Sequence, residues 1–204
     1  MNNKVPYYKV LRVVSIFLLT LYAFLDLPAQ HPYSISFFNH STTLPPNGIS
    51  SPWHPGIDIG ISTRNRAKTS SWSFLHWKLG YYYHRLVHHG IQLYGEYTKQ
   101  YTLFSKFGLG WSAGLGYVHT IELHEKFKLD AAGEYLRSGR LGKPHAQVSV
   151  GASLHYPMGK VSPFIQYRVR MITPFVNEYV PLLPSTSWHI GFYYGLQTAK
   201  ISKS

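Results

Sequence analysis

The chain contains no cysteine. That excludes disulfides, thiolate metal sites, cysteine nucleophiles and a lipid anchor on a cysteine. Charge is scarce too, at 14% of residues, and it leans one way, with 20 Lys and Arg against 8 Asp and Glu. A soluble chain ordinarily carries about a quarter charged residues. Long apolar runs are missing: Val13 to Leu25 gives thirteen mostly apolar residues, short of the roughly 20 that a membrane-spanning helix needs. No amphipathic helical pattern of useful length follows, which excludes βαβ architectures, and no solenoid-like repeat is present.

Aromatics and glycine are abundant instead, with 17 Tyr, 11 Phe, 5 Trp and 17 Gly. The mean hydropathy is −0.14. A chain that is aromatic-rich, sparsely charged and moderately polar on average suits a protein that divides its residues between two solvents. The division is visible in "FGLGWSAGLGYVHTIEL", Phe107 to Leu123, where odd positions are almost all apolar and even positions are Gly, Ser, Thr and other small or polar residues. Alternation over so long a run far exceeds a strand of about five or six residues. The same period marks Ile57–Ile61, Phe74–Tyr83, Ile91–Thr98, Ala146–Tyr156, Val161–Met171 and Trp188–Leu196, with a weaker strand expected within Glu125–Arg137. These make about eight strands, expected to close as an all-β, antiparallel, up-and-down transmembrane barrel, because a chain facing lipid must pair every backbone group. The alternative is a soluble β-sandwich or ligand-binding barrel, whose solvent face would carry many Lys, Glu and Asp. Here that face is mostly Gly, Ser and Gln.

The N-terminus carries Lys4, Lys9 and Arg12 ahead of the apolar run, then "DLPAQ" with the small residue Ala29. This is the pattern of a signal peptide over 1–30; an uncleaved anchor is the alternative. Beyond it lie seventeen basic and seven acidic residues, a balance that favours anionic partners. Residues 31–55, rich in Pro, Ser, Asn and Gly, are expected to be an irregular lead-in, with a short extra strand around Ser34–Phe38 or a plug left open. The barrel is expected over 56–198 and a tail over 199–204. With Gly56 starting an outward-going strand, the long loops fall at 63–71, 99–105, 137–145 and 174–187, and the shorter turns at 85–90, 124–126 and 157–160.

"HPGIDIG" (His54 to Gly60), "LGYYYH" (Leu79 to His84), "SPFIQYR" (Ser162 to Arg168) and a leader ending "PAQ" resemble the small, largely uncharacterised outer-membrane barrels of Bacteroidetes. The resemblance spans most of 54–197, and it implies location and fold more than activity. His189, Gly191, Tyr194 and Leu196 further resemble the signal read by the barrel-assembly machinery, although "QTAKISKS" continues where many such barrels stop at an aromatic.

Motifs for chemistry are weak. "GLGWSA" (Gly108 to Ala113) matches a dinucleotide-binding pattern, but that motif must open a helix and here the alternation runs through it. "HRLVHH" places His84 and His88 four apart in a turn, where the spacing fixes no metal geometry. Ser153 and His155 share one strand face and invite comparison with outer-membrane lipid A acyl hydrolases, yet that family carries His-x-Ser, this chain reads Ser-x-His, and no carboxylate has a clear claim to orient the pair. No catalytic residues, metal or cofactor are therefore assigned. Asp58, Lys78, Glu96, Arg168 and Arg170 all fall on the inward face and are expected to form one mutually satisfied network, since unpaired charges in a narrow lumen are costly. Arg64, Arg66, Lys68, Arg137, Arg140 and Lys143, with Lys99 and Lys106, are expected on a basic outer rim. There they serve either to bind phosphates of outer-membrane lipid and lipopolysaccharide or simply to confer solubility. Nucleic acid is not an expected partner. The sequence thus points to a small integral barrel with a structural or surface-interaction role, its lumen filled and closed to general passage. The exported chain is expected to begin near residue 30 and to sediment with outer membranes, which N-terminal sequencing of the fractionated protein would establish.

Overall fold

The computed structural model describes residues 32–42, 53–68, 71–85, 87–103, 107–123, 127–130, 133–137, 142–174 and 182–195. The expected leader 1–30, the expected tail 199–204, Arg140 and Leu196 lie outside them. Among the described residues ten strands occur: β1 (Tyr33–Ser41), β2 (Pro55–Ala67), β3 (Ser71–His84), β4 (His88–Leu103), β5 (Phe107–Glu122), β6 (Phe127–Leu129), β7 (Tyr135–Arg137), β8 (Lys143–His155), β9 (Val161–Thr173) and β10 (Leu183–Tyr194). Eight of them form a closed barrel in the order β1-β10-β9-β8-β5-β4-β3-β2. Every neighbouring pair is antiparallel, and β1 pairing with β10 over Tyr33–Ser41 closes the wall. No strand edge is left to meet lipid, as a membrane wall requires.

The faces follow the alternation. Leu115, Val150 and Ile190 point outward at 68%, 60% and 64% exposure, within a band that also holds Ile59, Leu79, Leu93, Leu109, Val148, Leu154 and Ile165. On the other face the glycines of β5 meet large inward neighbours in register: Gly108 opposes His155, and Gly116 opposes Tyr94. A Cβ on either glycine would overlap those side chains. The same pairing sets Gly80 opposite Asp58, Gly60 opposite Lys78, Gly114 opposite Glu96 and Gly151 opposite Arg168. An eight-stranded bore is just wide enough for side chains, and Asp58, Lys78, Tyr94 and His155 take the space their cross-strand glycines leave, while Ser149 fills in at Gly114 and Ser112 with Gln166 at Gly151.

The strand count is right, but two assignments behind it need correction. The expected lead-in contains β1, a full wall strand, because Ser34, Ser36, Phe38 and His40 alternate inward against outward Tyr33, Ile35, Phe37 and Asn39. The weak strand expected in Glu125–Arg137 is instead a separate two-stranded sheet, β6 with β7. Its turn is set by Gly133 at a φ of +82°, a conformation open to glycine, and by Asp130 Oδ1 accepting from the Glu134 amide at 2.8 Å.

Adding a strand before Gly56 inverts the first half of the barrel. The connections 42–54, 85–87, 123–142 and 174–182 share one rim, while the short turns 68–70, 104–106 and 156–160 share the other with the strand ends at Tyr33 and Tyr194. The segments 63–71 and 99–105 therefore lie at the short-turn rim, contrary to the outer rim expected from sequence. Leu115→Arg or Val150→Arg is expected to cost about 2–4 kcal/mol by placing a charge in the lipid-facing band. Denaturant unfolding from vesicles would measure it, and a neutral outcome would mean the faces are misassigned.

Candidate functional site

The lumen holds the one dense constellation of charged side chains among the described residues. Lys78 on β3 donates to Glu96 Oε1 on β4 at 2.6 Å, and Arg168 Nη2 reaches across the bore from β9 to Glu96 Oε2, also at 2.6 Å. Arg168 Nη1 lies 3.7 Å from Asp58 Oδ2 on β2. All four side chains are buried. Glu96 is thus shared by two cations, and Arg168 ties together strands that are not neighbours in the wall.

Uncharged groups complete the coordination. Tyr94 donates its hydroxyl to Asp58 Oδ2 at 2.7 Å and accepts from Arg168 Nη1 at 2.5 Å, so one phenol joins a carboxylate to a guanidinium. The Arg168 guanidinium also lies over the Tyr94 ring, 4.7 Å from its centroid. Gln92 donates to Asp58 Oδ1 at 2.8 Å, while its carbonyl accepts from Arg170 at 2.5 Å. Gln166 bonds Ser112 Oγ at 2.9 Å. Arg170 is held differently from the other two cations, by Gln92, Ser185 Oγ at 3.1 Å and the ring nitrogen of His40 at 3.0 Å, with Tyr82 against its face. Its hydrogen-bonding partners are neutral acceptors. Buried charge is costly unless geometry and hydrogen bonds compensate it, and here carboxylate, phenol, amide and imidazole groups all converge on the cations.

Aromatic layers bound this network at both ends. Towards the short-turn rim Trp72, Phe74, Phe164 and Tyr193 pack as one buried cluster, with Phe164 and Tyr193 stacked at 4.3 Å. Towards the long-loop rim Phe38, Tyr82 and Val118 form a second, with Phe38 stacked on His189 at 4.6 Å. Above it His84 stacks between His54 at 3.9 Å and His88 at 5.2 Å. The "HRLVHH" histidines therefore divide, His84 and His88 facing each other in the mouth while His89 turns outward to the Tyr81 hydroxyl at 2.6 Å. Among the described residues no three His, Asp or Glu side chains are grouped so as to hold a metal ion.

The expected lumen residues Asp58, Lys78, Glu96, Arg168 and Arg170 thus meet in one network. Tyr94, Gln92 and Gln166 were not singled out from sequence, although Gly116 opposite Tyr94 was a readable sign of a large inward group. The basic residues do not share one rim. Arg66 and Lys68 are exposed at the short-turn rim, where β2 also brings Arg64, while Lys143 begins β8 at the long-loop rim and pairs with Glu122 at 3.1 Å. Arg137 ends β7, in the separate two-stranded sheet. His189 and Gly191 face inward on β10, and Tyr194 faces out at its end. Ser153 and His155 point into the lumen beside the short-turn rim, where the His155 ring packs edge-on to Trp72 at 4.7 Å. Neither Ser153 Oγ nor the ring nitrogens of His155 have a hydrogen-bond partner among the described residues. They form no dyad.

No family model matches the chain, and no curated protein does. Solved structures do. Neisserial surface protein A is 14% identical, covering 81% of this chain and 95% of its own, with a TM-score of 0.52. The likeness is one of fold. The outer-membrane enzyme PagL (11% identity, 80% and 98% coverage, TM-score 0.47) and Ail, the attachment invasion locus protein of Yersinia pestis (11%, 80% and 96%, 0.43), are similar at lower scores. The fold is the closed eight-stranded antiparallel barrel that small outer-membrane proteins share.

Glu96→Gln is expected to cost several kcal/mol, about 3–5 for breaking a buried pair, because Lys78 and Arg168 lose their shared counter-charge. Combining it with Lys78→Met is expected to recover part of that loss, and a double-mutant cycle in denaturant would register the coupling. Strict additivity would show that the two groups act independently.

Proposed function

We propose that the chain is a small integral outer-membrane barrel with a structural or surface-interaction role, exported through a cleaved leader, and neither a general pore nor an enzyme. One observation carries this reading: the bore is filled by a buried ion-pair network between two aromatic layers. Such a lumen leaves charges locked to one another, and conduction would require breaking them. The apolar outward band supports membrane residence. The likeness to Bacteroidetes barrels rests on the loose sequence motifs alone and narrows the origin only as part of this proposal.

In outer-membrane barrels the longer loops face outside and the short turns face the periplasm. On that rule the rim bearing 42–54, 123–142 and 174–182 is external. The β6–β7 hairpin belongs to this side, and Tyr135 is 74% exposed there, an aromatic presented on a short, turn-stabilised element. Lipopolysaccharide and outer-leaflet lipid are its nearest partners, with Arg137, Arg140 and Lys143 as the basic residues on that side. Assembly would read His189, Gly191, Tyr194 and Leu196 on the last strand. The non-enzymatic reading is supported by the placement of Ser153 and His155: both side chains point into a filled lumen near the periplasmic end, away from outer-leaflet acyl chains. No cofactor enters the proposal.

Two measurements test it. The unheated chain is expected to migrate as a compact species in detergent and to shift on boiling. In planar bilayers it is expected to give little or no steady conductance. Large, stable single-channel currents would refute the filled-lumen reading and promote a pore.

A further inference from the structure

The corrected strand order concentrates unopposed positive charge at the short-turn rim. No Asp or Glu falls within 62–74, 97–113 or 150–166, the segments that build it. Arg66, Lys68 and Lys160 are exposed there, and Lys99 is half-buried. The carboxylates beyond the leader lie elsewhere, Asp58 and Glu96 in the lumen and the remaining five at 122–134 and 178, in or beside the long-loop connections.

Two of these cations lie on the wall itself. Ser73 sits between the buried Trp72 and Phe74 on β3 and so faces outward. Arg66 on β2 pairs with Ser73 from one side, and Lys99 on β4 pairs with it from the other. The three therefore form one outward-facing row, Arg66–Ser73–Lys99. Strands lie about 4.8 Å apart, which puts β2 and β4 about 10 Å apart. A small hydroxyl residue in the middle separates a guanidinium-bearing from an ammonium-bearing side chain, each long enough to reach a ligand seated over it. Lys99 is flanked by outward Tyr97 and Tyr101 on its own strand, with outward Trp111 opposite it on β5. Its ammonium lies over the Tyr101 ring, 5.2 Å from the centroid.

Aromatics of this kind mark the membrane interface. β4 has 16 residues, more than the roughly nine to eleven a tilted strand needs to cross the hydrocarbon, and Lys99 stands four residues from its short-turn end among these outward aromatics. A lysine there extends its apolar stem along the wall and its ammonium to the phosphate plane. Arginine offers a planar fork that matches a phosphate in bidentate fashion. We propose that Arg66, Ser73 and Lys99 form an outer-wall site for the phosphate headgroup of an anionic glycerophospholipid in the periplasmic leaflet. The site rests on the reading of the short-turn rim as periplasmic.

The full chain, purified from membranes and presented with equal amounts of phosphatidylglycerol and phosphatidylcholine in detergent micelles, would be examined for retained lipid by native mass spectrometry. Phosphatidylglycerol is expected in several-fold excess, and that excess is expected to collapse in Arg66→Gln/Lys99→Gln while surviving in Lys143→Gln on the opposite rim. Heat-modifiable migration of each sample reports folding separately, and Lys99→Gln alone serves if the double variant does not fold. Equal retention of the two lipids, or undiminished phosphatidylglycerol on a folded variant, would overturn the site. A competing arm with lipid A would overturn it too if lipid A were preferred through the same two residues, since that places this rim in the outer leaflet. A wild-type chain that does not shift on heating would instead remove the barrel reading beneath it.

Discussion

Closing eight strands fixes the width of the bore before any side chain is chosen. Every inward position must then be filled to that width, with neither a void nor an overlap. The chain meets the constraint by pairing large with absent: Asp58 with Gly80, Tyr94 with Gly116 and His155 with Gly108 lie opposite one another on neighbouring strands, each side chain filling the place of the missing Cβ. The glycines of β5 are therefore determined by β4 and β8. Remove the glycine and the adjacent strand has nowhere to put its side chain; shorten the side chain and the bore opens.

A filled bore need not be a polar one, and here polarity has its own cause. A strand apolar on both faces would resemble a membrane-spanning helix by composition, and a chain of them would risk stopping in the first membrane it met. Polar and small residues at alternate positions keep long apolar runs from forming, which is why the mean hydropathy stays at −0.14 despite an apolar outer wall. Once the barrel closes, those polar residues are buried and must satisfy one another. Arg168 does this across the lumen, bonding Tyr94 and Glu96 from the far side of the wall. The network thus links strands β2, β3, β4 and β9, three of which have no direct backbone pairing with the fourth. It is a cross-brace as well as a filling.

How much of this could be read from sequence depended on contrast between faces. In β5 and β8 the outward positions are mostly apolar and the inward ones mostly Gly, Ser, Gln or Thr, so strand and face were legible, and parity on β2, β3, β4 and β9 placed the charges inward. β1 was left open between an extra strand and a plug because its contrast is poor: it is short, set among Pro, Ser and Asn, and carries the polar Asn39 on its outward side. The 125–137 segment erred in the opposite direction. It has hydrophobic residues at plausible intervals, but Asp130 and Gly133 make a turn in its middle, leaving two arms too short to cross a membrane. The two errors cancelled in the strand count and not in the direction of the strands. Relative to the long-loop rim, β2 to β5 each run opposite to the expected direction, while β8, β9 and β10 run as expected. Which cations share a network was likewise readable from parity, but the bridging role of Tyr94 was not, since it depends on where Arg168 arrives from across the lumen.

Direction matters because the two ends differ chemically even where the wall is uniform. The lumen takes three cations and two carboxylates, and the carboxylates left over all go to the long-loop side. Carboxylates interspersed with Lys and Arg make a surface that is locally paired, as Lys143 is with Glu122. At the short-turn side Arg66, Lys68, Lys99 and Lys160 have no such neighbours in the segments around them. Cations at an aqueous interface without carboxylates are matched by whatever anion the surroundings supply. For a barrel in a membrane, the anion at fixed distance from the end of the apolar band is the lipid phosphate. The same alternation that sorts apolar from polar across the wall is thus accompanied by a second sorting along it, in which acidic residues are kept to one end and are absent from the segments that build the other.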